Sequence, residues 1–206
     1  MLRLPAFEVR EPTTVAEAVE LLAQYGDRAR ILAGGTDLVP NMKHEVEVPE
    51  VVISLGRVDA LRYVVEEADQ LRVGPLVTLD ALAHHPRVGE LFPSLVDAVS
   101  QIAGPQLRSM GTLGGNVCLD TRCVYINQSY FWRQALGFCL KKDGTVCHVV
   151  AGGRRCVAAA SNDSAPVLMT LGAQLTLSSA EGARSLPIDE FYVGNGAFNQ
   201  DRTRAE

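Results

Sequence analysis

All five cysteines of the chain, Cys118, Cys123, Cys139, Cys147 and Cys156, fall in one short stretch, and the sequence on either side of it holds none. An odd number cannot all pair, so a disulfide framework does not organise this fold. The remainder must fold around an ordinary apolar core, and the thiol-rich stretch becomes a candidate metal or iron–sulfur site. A chain of 206 residues, 47% hydrophobic and 21% charged, can supply that core as one globular unit or two lobes, and is not disordered throughout. The formal net charge of −5 argues against a nucleic-acid partner held by phosphate neutralisation. No apolar run approaches the ~18 residues of a membrane span, and the opening Met1-Leu-Arg-Leu-Pro-Ala-Phe lacks a signal core. The expected location is the cytoplasm, with no membrane partner.

Residues 1–56 read as a β-α-β lobe. Phe7-Glu-Val-Arg is a short strand, and Thr14 with Glu17 forms a capping box that starts a helix with Val15, Ala18, Val19 and Leu22 on one face. Arg30-Ile-Leu-Ala is a second strand running into Gly34-Gly35, a brief helix follows from Leu38 to Lys43, and Val51-Val-Ile-Ser is a third strand. From residue 57 to 206 the pattern predicts a second α+β lobe, interrupted by the cysteines at about 118–158. It contains a hairpin around Glu67-Ala-Asp69, a helix Leu79–Ala83 capped by Thr78, and a longer helix from about Leu91 to Ile102. A helix from Ser164 and two closing strands, Gly172 to Leu177 and Arg184 to Pro187, complete it.

Two glycine pairs end extended segments: Ala33-Gly34-Gly35-Thr36-Asp37 and Thr112-Leu113-Gly114-Gly115-Asn116. Glycines let backbone N–H groups approach an anion closely, and a following helix N-terminus favours negative charge. Neither pair fits the Rossmann or P-loop pattern. Either alone is more simply a tight turn. Two of them, one in each lobe, suit a long pyrophosphate-bearing cofactor lying between the lobes.

Taken in order, Ile31-Leu-Ala-Gly-Gly-Thr-Asp-Leu, Gly111-Thr-Leu-Gly-Gly-Asn and Asp163-Ser-Ala-Pro-Val-Leu-Met-Thr-Leu-Gly-Ala resemble the FAD-binding subunit of the molybdenum hydroxylases. This is the family of xanthine dehydrogenase and the carbon monoxide dehydrogenase medium subunits. The resemblance implies an α+β, two-subdomain FAD-binding fold of the CO dehydrogenase flavoprotein/vanillyl-alcohol oxidase type. It implies that the first turn, with Leu32, Ala33, Gly34, Gly35, Thr36, Asp37 and Leu38, wraps the FAD pyrophosphate. Thr112, Gly114, Gly115 and Asn116 would cover the phosphates and ribityl chain from the other lobe. Asp163 would hydrogen-bond near the ribityl chain, and Thr78, in Gly74-Pro-Leu-Val-Thr-Leu, would pass close to the flavin.

In simpler members the second and third motifs lie close together; here the cysteine stretch separates them. The pattern Cys123-x15-Cys139-x7-Cys147-x8-Cys156 resembles the [4Fe-4S]-binding insertion of the 4-hydroxybenzoyl-CoA reductase β subunit, leaving Cys118 over as a small buried thiol. On spacing alone, four thiolates hold a [4Fe-4S] cluster or a tetrahedral zinc equally well. Lys141, Lys142, Arg154 and Arg155 could offset cluster charge or form an ordinary surface. Tyr125, Tyr130, Phe131 and Trp132 would pack the insertion, and His148 would be structural or donate to sulfur. No nucleophile–base set or close carboxylate pair stands out.

The resemblance thus implies an electron-transfer subunit carrying FAD and [4Fe-4S] in a molybdenum-dependent reductase. Its partners would be a molybdopterin-binding large subunit, a [2Fe-2S] small subunit and a ferredoxin-like donor. The alternatives are the FAD subunit of a related aldehyde or heterocycle dehydrogenase, and a zinc-stapled, non-catalytic assembly module. Family members usually continue into a C-terminal domain bordering the isoalloxazine ring, whereas this chain stops at Glu206.

Overall fold

Three short parallel strands, β1 (Glu8–Arg10), β2 (Ala29–Leu32) and β3 (Val51–Ser54), form a sheet of order β1-β3-β2. The computed structural model describes residues 2–197 and Gln200; residues 198–199 and 201–206 of the expected second lobe lie outside the described residues. Central β3 reads Val51-Val-Ile-Ser without polar alternation because both its neighbours are parallel strands and its first three residues are buried. Helix α1 (Val15–Tyr25) links β1 to β2. Its first turn is capped as expected, with Thr14 Oγ1 accepting from Glu17 N at 3.1 Å, while the Glu17 carboxylate accepts from Thr13 N at 2.8 Å. Leu22 of α1 closes a small core with Ala29, Val51 and Ile53. Helix α2 (Leu38–Lys43) follows the first glycine turn and leads to β3.

A larger apolar cluster lies in the second unit. It is fed by the hairpin β4 (Val64–Glu67) and β5 (Gln70–Val73), and by helices α3 (Leu79–Ala83), α4 (Pro86–Leu91), α5 (Pro93–Gln101) and, after the short α6 (Pro105–Arg108), which has no buried residue, α7 (Leu113–Val117). After α8 (Tyr130–Ala135), α9 (Ala165–Thr170) leads into the antiparallel pair β6 (Gln174–Ser179) and β7 (Gly182–Pro187), closed by α10 (Ile188–Phe191). Leu82, Val88, Val99, Ile188 and Phe191 are fully or almost fully buried in this cluster. Burying such side chains is worth roughly 1.5–3 kcal/mol each relative to exposure. The arrangement is α+β, with parallel strands confined to the N-terminal lobe.

Two expectations are corrected. The helix expected from about Leu91 to Ile102 is α5, which begins at Pro93, and a separate helix, α4, precedes it; each opens on a proline. Pro93 has no N–H to donate and disfavours helical geometry at Phe92, whose φ of −135° and ψ of 59° break the chain between them. The second glycine pair is not a loop turn either. Gly114 and Gly115 lie inside α7, started by Thr112 Oγ1 accepting from Gly115 N at 3.1 Å.

Candidate functional site

The two glycine segments meet. A Cβ on Gly34 would stand 1.9 Å from the Met110 carbonyl oxygen, and one on Gly111 would stand 3.4 Å from Thr36 Oγ1. Gly35 has φ +74°, a left-handed conformation in which glycine carries no penalty. The first turn therefore needs its glycines to bend and to seat against the strand-like run before α7. That run pairs with Pro75–Leu79 through Leu79 N to Gly111 O, Leu113 N to Val77 O and Gly114 N to Pro75 O, at 2.9, 2.9 and 3.0 Å. Thr78 is thereby set opposite Thr112, and each threonine hydroxyl caps the helix that follows it, Thr78 Oγ1 accepting from Ala81 N. A Cβ on Gly114 would lie 2.5 Å from Pro75 Cβ, so close packing of these two segments accounts for this glycine.

In the first turn, the N–H groups of Ala33, Gly34, Gly35, Thr36 and Asp37 find no acceptor among the described residues. Successive unpaired amides of this kind form an anion-binding concavity. Leu32 and Leu38 flank the turn half-buried, and Thr36 is exposed. Asn116, expected at the cofactor, also has a structural role. It is buried, and its Oδ1 accepts from both Ser164 N and Ser164 Oγ, at 3.1 and 2.5 Å. It ties α7 to the start of α9 and brings the second and third motifs together, leaving Asp163 exposed beside that junction.

Between those motifs, residues 120–159 leave and rejoin the fold through a pair of hydrogen bonds, Arg122 N to Ala159 O and Ala159 N to Arg122 O, at 2.7 and 2.9 Å. Within this loop Cys123, Cys139, Cys147 and Cys156 line one cavity together with Tyr125, Ile126, Lys141 and His148. None of the five cysteines is in a disulfide. Cys118 lies outside the cavity, packed against the large apolar cluster. It neighbours Tyr192, whose hydroxyl donates to Val117 O at 2.8 Å and whose pKa is raised by burial and then by Cys118. Among the described residues no three His, Cys, Asp or Glu side chains converge to hold one metal ion. A tetrahedral zinc, ~2.3 Å from each sulfur, would need sulfurs ~3.8 Å apart.

The other side chains of the loop take roles that the sequence left open. His148 Nε2 lies 2.6 Å from Phe138 O, where it donates, and the ring packs 5.1 Å from that of Tyr125. Lys141 is almost buried, held by Asp120 Oδ2, Thr121 Oγ1 and the carbonyls of Gly196 and Ala197. Arg154 and Arg155 are exposed. The aromatic set divides. Tyr125 lines the cavity, whereas Phe131 is 79% exposed.

The loop also grips α2 from end to end, through residues that no local signal marks. At its start, Arg122 pairs with Asp37 through Nη2 and donates from Nη1 to Asn41 Oδ1 at 3.1 Å, and Asn41 in turn donates to the other Asp37 oxygen at 3.1 Å. Past its end, the buried Arg133 of α8 donates from Nη2 to His44 O and Glu45 O, at 3.0 and 2.9 Å, and Lys142 donates to Val46 O at 2.5 Å. Cations at a helix C-terminus satisfy the last carbonyls and the helix dipole together.

Residues 5–204 match the family described as the FAD binding domain in molybdopterin dehydrogenase. The chain belongs to that family. It is similar to the aldehyde oxidoreductase FAD-binding subunit PaoB of Escherichia coli K12, 34% identical over 92% of this chain and 61% of the relative. It is also similar to the nicotinate dehydrogenase FAD-subunit of Eubacterium barkeri, 29% identical over 97% of this chain and 55% of the relative. Among solved structures, carbon monoxide dehydrogenase from Hydrogenophaga pseudoflava superposes with a TM-score of 0.74 at 27% identity, covering 98% of this chain and 57% of that one. Quinoline 2-oxidoreductase from Pseudomonas putida 86 gives 0.73 at 26%, with the same coverage. The chain spans a little over half the length of these relatives. No helix among the described residues is long and apolar enough to cross a membrane.

Proposed function

We propose that this chain is the FAD and [4Fe-4S] electron-transfer subunit of a molybdenum-dependent oxidoreductase. The observation that carries the cofactor site is the first glycine turn, with five successive amides lacking acceptors among the described residues and its base seated on Met110. In this reading Leu32 to Leu38 surround the FAD pyrophosphate with backbone N–H groups. Thr112, Gly114 and Gly115 approach from the facing segment, while Thr78, Asn116 and Asp163 shape the rim. Bound FAD would supply the exchange between two-electron and one-electron steps; the chain's own part is to bind, orient and shield it.

The four thiols lining one cavity support a cluster ligated by Cys123, Cys139, Cys147 and Cys156. A redox centre beside a flavin has a use, whereas zinc would only staple the loop, so the iron–sulfur group is the reading taken over zinc. His148 is occupied by Phe138 O and is left out of the ligand set. The proposed partners are a molybdopterin-binding large subunit, a [2Fe-2S] small subunit and a ferredoxin-like donor, and the cysteine spacing points to a reductase similar to 4-hydroxybenzoyl-CoA reductase. The similarity to an aldehyde oxidoreductase FAD-binding subunit over most of the chain supports a second reading, in which the partner large subunit oxidises aldehydes. Low-temperature EPR of the reduced protein tests the cofactor set. A reduced-cluster signal is expected, and a flavin radical alone would leave an ordinary FAD subunit. Pairing with the cognate large subunit, then assaying an aroyl-CoA thioester against an aldehyde, separates the two readings.

A further inference from the structure

We propose that Arg122, supplied by the cysteine loop, is a positioning residue of the dinucleotide site: it neutralises Asp37 so that the first glycine turn can accept a diphosphate. The inference rests on the reading of that turn as the FAD pyrophosphate site. A carboxylate inside an anion-binding turn is a contradiction unless it is paired, because a like charge beside two phosphates opposes binding. Asp37 is the last residue of the run of unpaired amides, and its two oxygens are both engaged, one by the Arg122 guanidinium and the other by Asn41 Nδ2. Arg122 reaches Asn41 as well, so the three side chains form a closed ring at the start of α2.

The geometry makes this more than a surface ion pair. The Arg122 side chain is only 23% exposed, against 42% for Asp37, so the guanidinium is the more buried partner of the pair. Its backbone is held by the two hydrogen bonds to Ala159. The residue that follows it is Cys123, the first thiol of the cavity. The same short segment therefore sets the charge of the flavin turn and begins the metal site. Asp37 serves the turn by holding Asn41 and Arg122, and Arg122 removes the electrostatic cost of having it there.

The test titrates FAD into flavin-free full-length protein and follows flavin fluorescence. Arg122→Gln is expected to weaken FAD binding about tenfold or more, the scale of a typical site–site coupling. Adding Asp37→Asn to that variant is expected to restore affinity to within about threefold of wild type, since the repelling charge is then gone. A variant that merely disturbed the loop would gain nothing from the second change. Arg122→Gln binding as tightly as wild type would overturn the proposal, and so would a double variant as weak as the single one. Wild-type protein that binds no FAD would instead remove the cofactor reading, and the proposal with it.

Discussion

The Met110 carbonyl oxygen occupies the place where any side chain on Gly34 would have to go, 1.9 Å from the Cβ position. This contact holds the first glycine turn against the segment that leads into α7. Gly34→Ala must push the two backbones apart. It is expected to cost about 1–3 kcal/mol, the usual scale for overpacking, and to weaken FAD retention. Gly89→Ala in α4 meets nothing within 4 Å and is expected to stabilise by about 0.5–1 kcal/mol. Urea unfolding midpoints of the two variants should therefore move in opposite directions.

Asn116 is a buried joint. With Asn116→Ala, Ser164 N and Oγ lose their common acceptor inside the fold, at a cost of about 1–3 kcal/mol. Ser164→Ala keeps the backbone bond and should cost less. Equal losses in chemical denaturation would mean that Asn116 acts in some other way.

Arg133 anchors α8 to the carbonyls past the end of α2, where His44 and Glu45 find their donor. Arg133→Met is expected to destabilise by about 2–4 kcal/mol, because two part-buried acceptors lose a charged donor and the loop loses its docking point. Hydrogen exchange should show faster exchange across residues 120–159 and at α2, and unchanged exchange in α5.

Tyr192 gives a pH signature. Burial and then Cys118 raise its pKa in the fold above the ordinary 10.0, so the neutral phenol is favoured when folded. The stability it contributes is fully present below about pH 10, where the unfolded phenol is also protonated, and is lost as pH rises toward the folded-state value. Tyr192→Phe should cost about 1 kcal/mol at pH 8 through the lost bond to Val117 O and flatten the fall in unfolding midpoint above pH 10.

Local chemistry in the sequence was enough to locate Thr14, Thr78 and the Gly34-Gly35 turn, because caps and bends depend on residues within a few positions. The β-α-β lobe was legible for the same reason. Thr112 carried the same capping signal, yet the pair Gly114-Gly115 read as a bend, and the helix it belongs to was missed. Pro93 marked the start of α5, yet the apolar periodicity drew the expected helix back to Leu91, which closes the unforeseen α4. The anchors of the cysteine loop were invisible: Arg122 with Asp37, and Arg133 with His44 and Glu45, join residues far apart in sequence, where no spacing rule applies.

Cys139→Ser separates the two cofactor sites. The variant should lose its iron while keeping FAD, because Cys139 lies far along the loop from Arg122, whose two hydrogen bonds to Ala159 the change leaves in place. Iron content equal to wild type would remove Cys139 from the ligand set, and coincident loss of flavin would show that the two sites are not separable.

The most direct test of the account is the cofactor content of anaerobically purified protein, measured as flavin, iron, acid-labile sulfide and zinc per chain. The account predicts one FAD and about four irons with matching sulfide. Zinc in place of iron, with no flavin, would contradict it and leave a metal-stapled module in which the glycine segments serve packing alone.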